Sequence, residues 1–136
     1  VRRILVIDDE PFVLEALKRV LATSAVAVTG ASTADAGLAA MSESPVDLVI
    51  IDVILPGMDG VAAIKIIRRD CPGVRIIAIS GGGNFGLNSY LPEAISTSAY
   101  LAACKAAGAD GTLSKPFETA ELRSLIDQVT LGHVTT

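Results

Sequence analysis

The stretch VDLVIIDVILPGMDG, residues 46–60, drives an acidic side chain out of the end of a strongly apolar run. Leu48 to Ile51 is a continuous leucine and β-branched run, the length of a strand buried on both faces as in a parallel sheet. An ionised carboxylate is costly to bury unless it is paired or metal-bound. The run therefore has to end at Asp52 and deliver it to a crevice at the strand's C-terminal end, the edge where open α/β sheets bind ligands. A plainer reading competes with this one. Pro56, Gly57, Asp59 and Gly60 are all turn residues, and an acid at a strand end also serves a simple turn or a helix N-cap. On this stretch alone the two readings stand level.

Outward from it, the same pattern recurs. Arg2 to Ile7 reads as a first strand that ends in Asp8, Asp9 and Glu10. Pro11 suits the first turn of a helix, and Phe12, Leu14, Leu17, Val20 and Leu21 follow at near-helical spacing. Three acids at such a turn also fit a solvated helix N-terminus, which the helix dipole favours. Ala25 to Gly30 is a second strand, and Ser32 or Thr33 can cap a small-residue helix through Met41. After the Asp52 strand, a helix is expected from about Gly60 to Arg69, with Val61, Ile64 and Ile67 on one stripe and Lys65, Arg68 and Arg69 off it. Pro72-Gly73 ends it. Val74 to Ser80 is a fourth strand whose last residue is a hydroxyl, followed by three glycines, Gly81 to Gly83. An alanine-rich helix is expected from about Pro92 to Ala107, with Ile95, Ala99, Ala102, Ala103 and Ala106 inward. Gly111 to Ser114 is a short fifth strand; Lys115-Pro116-Phe117 then turns the chain into a helix from Thr119 to Val129, striped by Leu122, Leu125, Ile126 and Val129. The expectation is an α/β domain, a three-layer doubly wound sheet of five parallel strands with right-handed crossovers.

Composition narrows the function. The 136 residues are 51% hydrophobic and 4% aromatic, enough for one core but not two domains. Mean hydropathy is +0.55, yet no apolar run reaches the roughly 18 residues of a membrane span. Nothing resembling a signal peptide opens the chain, and a start at Val1 is expected of a trimmed chain or a piece of a longer one. A net charge of −4 argues against a nucleic-acid surface. Cys71 and Cys104 are too few for a disulfide framework or a zinc site. His133 falls in a polar tail, and a reduced cytoplasmic compartment is expected.

In a parallel sheet all strand C-termini share one edge, so the residues that end the strands converge: Asp8, Asp9, Asp52, Ser80 and Lys115. Three carboxylates in one crevice repel one another unless a cation neutralises them or some keep their protons. Hard oxygens without His or Cys select Mg2+ or Mn2+. A hydroxyl and an ammonium opposite them are poor metal ligands but good donors to a phosphoryl group. The chemistry suggested is attack of a carboxylate on phosphorus, giving an aspartyl phosphate.

On Asp8-Asp9, on Asp52 followed by Leu55-Pro56-Gly57-Met58-Asp59-Gly60, on Ser80 and on Lys115-Pro116-Phe117, the chain resembles the receiver domain of bacterial two-component response regulators, over about Arg3 to Val129. The resemblance implies a flavodoxin-like sheet of order 2-1-3-4-5, an order for which a receiver is a standing example. It implies Asp52 as phosphoacceptor, with Mg2+ bound by Asp9, Asp52 and the backbone carbonyl of Ile54, and by Asp8 mostly through water. It implies Ser80 and Lys115 on the phosphoryl oxygens. The donor would be a histidine kinase or a histidine phosphotransfer protein, the recipient a downstream protein, with a phosphorylation-dependent homodimer as one form of output.

Two departures stand out. Receivers usually carry an aromatic residue or His three positions before the lysine, where this chain has Thr112. Ser80 and Lys115 stand 35 residues apart, longer than the family's usual spacing, so an insertion of about residues 81–98 is expected between strand 4 and helix 4, with a short tail at 130–136. That segment is expected to move with phosphorylation and to contact a partner or a second copy; a passive surface loop is the competing reading. Two rival functions remain. A haloacid-dehalogenase-type phosphatase would want a second Asp where Ile54 stands, and a larger body. A receiver-like interaction module that works without phosphorylation would fit the loss of the switch aromatic, but not the complete acid, hydroxyl and lysine set.

Overall fold

The computed structural model describes residues 2–55, 57–80 and 97–134. Among the described residues five strands alternate with five helices: β1 (Arg3–Ile7), α1 (Pro11–Leu21), β2 (Ala27–Ala31), α2 (Ala34–Glu43), β3 (Leu48–Asp52), α3 (Gly60–Asp70), β4 (Arg75–Ser80), α4 (Thr97–Ala107), β5 (Gly111–Ser114) and α5 (Thr119–Val134). All strands pair in parallel in the order β2-β1-β3-β4-β5. The expected doubly wound, flavodoxin-like architecture is the one observed.

Every residue of β3 is buried, which is what its uninterrupted apolar run requires when helices cover both faces. Side-chain alternation along the strands divides the core in two. Leu5, Ile7, Val49, Ile51, Ile76 and Ala78 face the layer built by α2, α3 and α4. Ile4, Val6, Leu48, Ile50, Ile77 and Ile79 face α1 and α5. Each of these leucine, isoleucine and valine side chains contributes about 1.5–3 kcal/mol on burial.

Helix starts follow the sequence signals. Pro11 opens α1, and Thr33 caps α2 by accepting from the Ala36 N–H at 3.0 Å. Asp59, read from sequence as a turn residue, caps α3 by accepting from the Val61 N–H at 3.0 Å. At the opposite end of the sheet, Arg68 gathers the chain: its guanidinium donates to the carbonyls of Pro72, Val74 and Gly108 and pairs with Asp110 at 2.8 Å.

Three expectations need correction. Phe12 is not part of the α1 core stripe but is 81% exposed; at about 100° per residue it lies about 140° around the helix from Leu17 and opposite Leu21. On α4, Ala99, Ala102, Ala103 and Ala106 face solvent, and the inward side is Leu101 and Cys104, flanked by Tyr100 and Ala107. Helix α5 runs on to Val134, past the expected stop at Val129 and through most of the expected tail. Thr97 already belongs to α4; the rest of the expected insertion, with Gly81 to Gly83, Phe85, Tyr90, Pro92 and Ile95, lies outside the described residues up to 96, as does Pro56.

Candidate functional site

The parallel sheet delivers its polar strand ends to one edge. Asp8 follows β1, Asp52 ends β3, Ser80 ends β4 and Lys115 follows β5. Asp8, Asp52 and Ser80 are the buried polar side chains among the described residues. One carboxylate oxygen from each of Asp8, Asp9 and Asp52 falls within 4.8 Å of the others, Asp9 being the exposed member.

The ammonium of Lys115 closes the cluster. It donates to Asp8 Oδ2 at 3.0 Å and to Asp52 Oδ2 at 3.2 Å, and lies 3.6 Å from Glu10 Oε1. The two buried carboxylates are only 2% and 6% exposed, so this ammonium offsets a charge that the interior would otherwise reject. Their other oxygens are also occupied: Asp8 Oδ1 accepts the Glu10 N–H at 2.9 Å, and Asp52 Oδ1 the Ile54 N–H at 2.8 Å. Lys115 reaches the site because its own N–H donates to the Ser80 carbonyl at 2.8 Å, continuing the β4–β5 ladder by one residue.

These surroundings tune the acids. Burial pushes the Asp52 carboxyl up to about 6, against the Ile54 N–H and Lys115, which lower it; the charge of Asp8 adds to the rise. Burial opposes the charge on Lys115, but Asp52 and Asp8 outweigh it and hold the ammonium above its ordinary range. At neutral pH the result is an ionised, poorly solvated carboxylate beside a firmly charged lysine. Carboxylate oxygens alone make a donor set that suits a hard divalent cation.

The loop leaving Asp52 is short and tightly tied. Ile54 pairs with Asp59 in an antiparallel bridge, and the Gly60 N–H donates to the Val53 carbonyl. A Cβ on Gly60 would lie 2.4 Å from the Val53 Cα, so glycine is required where α3 starts. Gly57, at φ 90°, makes the turn in the left-handed region that favours glycine. The Ile54 side chain is 40% exposed beside the site. Thr112, in the place of the usual aromatic, is half-buried on β5 opposite Ala78, on the sheet face that α4 covers.

Of the residues singled out from sequence, Asp8, Asp9, Asp52 and Lys115 are brought together directly, and Ser80 is buried on the same edge. Glu10 was read only as one of three turn acids, and its approach to Lys115 has no sequence signal beyond adjacency to Asp9. The bond from the Tyr100 hydroxyl to Asp59 Oδ1, 2.8 Å long and across 41 residues, had none.

Comparison with known proteins agrees with this geometry. The DNA-binding response regulator MtrA of Mycolicibacterium smegmatis is 31% identical over 126 residues, 89% of this chain and 47% of MtrA. The chemotaxis protein CheY of Thermotoga maritima is 28% identical over 129 residues, 94% of this chain and 97% of CheY. A solved CheY-like response regulator receiver domain protein from Methanospirillum hungatei JF-1 has the same fold, with a TM-score of 0.80 at 23% identity over 100% of this chain and 99% of that one. The chain spans about half the length, or less, of regulators such as MtrA. The family model of the response regulator receiver domain matches residues 4–127, and the chain belongs to that family of two-component signalling domains.

Proposed function

We propose that Asp52 is the phosphoacceptor of a two-component phosphorelay and that the chain is a switch set by its phosphorylation. The observation that carries this reading is the ammonium of Lys115 bridging two buried carboxylates, Asp8 and Asp52, with Asp9 at the mouth. A fold does not bury two acids beside one lysine for stability, since an apolar replacement does at least as well.

Receiver domains interact with histidine kinases, and the proposed donor is a phosphohistidine on such a kinase or on a phosphotransfer protein. An ionised Asp52 oxygen attacks phosphorus in line as the P–N bond to the donor imidazole breaks and its electron pair returns to nitrogen. Asp8, Asp9, Asp52 and the Ile54 carbonyl are the residues that would hold Mg2+, which supplies charge stabilisation for the oxygens around phosphorus. Lys115 exchanges a carboxylate partner for a phosphoryl oxygen, and the Ser80 hydroxyl donates to another. Both displacements pull on β4 and β5, against which α4 and α5 pack, and so transmit the change to a downstream protein.

The test is incubation with acetyl phosphate, in Mg2+ and in chelator, followed by peptide mass spectrometry. Phosphoryl mass on the peptide containing Asp52, absent in chelator and in Asp52→Asn, is expected. Mass on another residue, or none in Mg2+, would refute the assignment and favour an interaction module that works without phosphorylation.

A further inference from the structure

Tyr100 lies on α4, outside the acid cluster, yet its hydroxyl reaches a residue that shapes the cluster. It donates to Asp59 Oδ1 at 2.8 Å, and the same oxygen accepts the Val61 N–H at 3.0 Å as the cap of α3. Asp59 is also the backbone partner of Ile54 in the antiparallel bridge, and Ile54 in turn donates its N–H to Asp52. A path therefore runs from α4 through Asp59, across the Gly60–Val53 hydrogen bond that ties the Ile54–Asp59 bridge, to Ile54 and its bond with the Asp52 carboxylate. The ring of Tyr100 is half-buried against the core under α3 and α4, which holds the hydroxyl in place, and burial together with the Asp59 carboxylate keeps that hydroxyl protonated as a donor. Val53 and Gly60 have little slack between them in which to dissipate a pull, because Gly60 already touches the Val53 backbone.

We infer that Tyr100 and Asp59 form a clasp that positions the Ile54 loop for the cation at Asp52 and couples the placement of α4 to that site. Both are positioning residues. The inference rests on the phosphoacceptor reading above and deepens it by naming a route of regulation that does not pass through Thr112. A threonine lacks the volume of the aromatic ring usual at that position; Tyr100 supplies a ring and a hydroxyl from α4 instead. Coupling between sites is reciprocal, so a protein that binds and shifts α4 alters cation affinity at Asp52 by the same factor that the cation alters its binding.

The experiment uses the full chain and Mg2+ alone as the probe. Mg2+ affinity is measured by calorimetry for the wild type, Tyr100→Phe, Asp59→Ser and the double variant. Tyr100→Phe keeps the ring and its packing, and Asp59→Ser keeps an N-cap oxygen, so both are expected to fold. Each single variant should weaken Mg2+ about fivefold, the low end of coupling between sites. The double variant should be no weaker than Asp59→Ser alone, because the two side chains act through one bond. Amide exchange supplies the reciprocal reading: Mg2+ slows exchange over residues 100–107 in the wild type and slows it less in Tyr100→Phe. Unchanged Mg2+ affinity in Tyr100→Phe, with a wild type that binds Mg2+, would overturn the clasp and leave the phosphoacceptor reading intact, even if thermal stability fell. A wild type that binds no Mg2+ would overturn that reading and the clasp with it.

Discussion

Replacing Asp52, the proposed phosphoacceptor, should make the metal-free protein more stable, and the size of the gain can be worked from the geometry. The Asp52 carboxyl is pushed from 3.8 to about 6, first by burial, so the folded state holds its proton more tightly than the unfolded chain does. Well below pH 3.8 both states are protonated and no stability is lost. As pH rises from about 4 to 6 the unfolded chain gives up its proton first, and the fold loses about 1.4 kcal/mol per pH unit, about 3 kcal/mol in all by pH 7. Asp52→Asn carries no such charge. Its amide oxygen can still accept the Ile54 N–H, and Lys115 keeps Asp8 and Glu10 as partners. The variant should match the wild type at pH 4 and exceed it by about 3 kcal/mol at pH 7, equivalent to about 10 °C for a chain of this size. Urea unfolding in chelator at half-unit steps from pH 4 to 8 measures the difference. Mg2+ should then raise the wild type and not the variant, by linkage. A gap equal at pH 4 and pH 7, or a wild type that is the more stable at pH 7, would refute the account of Asp52 as a carboxylate held against its own desolvation.

Asp9 is the exposed acid of the cluster, so Asp9→Ala should change stability by less than about 0.5 kcal/mol while weakening Mg2+ by roughly tenfold or more; calorimetry showing equal affinity would remove Asp9 from the ligand set. Gly60→Ala forces a Cβ into the Val53 backbone and should cost roughly 1–3 kcal/mol, and an unchanged urea midpoint would mean that the loop retreats without strain. Ile54 offers no polar atom to orient water, so Ile54→Glu should alter the decay of the phosphorylated form. Following phosphate release over time tests this, and an identical decay curve would clear Ile54 of any control over water access.

The sheet was legible because its signals are local and redundant. Leu48 to Ile51 has the length and β-branched content of a doubly covered strand, and each polar strand end marks the same edge, so Asp8, Asp52, Ser80 and Lys115 follow from topology once the strands are right. Where residues carry little contrast, reading fails. In α4 the alanines fit a helix at any rotation, and the inward face is decided by Leu101 and Cys104 packing under α3, a tertiary fact. Phe12 misled for the opposite reason: it is apolar and close to the stripe in sequence, but the helical angle turns it to solvent. Asp59 could be read as a turn residue and not as a partner of Tyr100, because no periodicity links positions 41 residues apart.

The bond between Lys115 and Asp8 joins residues 107 positions apart, and this bears on how the molecule comes into being. During vectorial synthesis Asp8 and Asp52 emerge long before the lysine that answers their charge. Until β5 docks, the edge of the sheet they occupy has to stay open to water or take up protons, since two carboxylates cannot be sealed without a counter-charge. Such distant pairings are also the slow ones, because chain closure comes before the contacts that reward it. A nascent or truncated chain therefore carries the acids without the desolvated setting that shapes their reactivity. The buried, lysine-paired setting of Asp52 arrives only with completion of the fold.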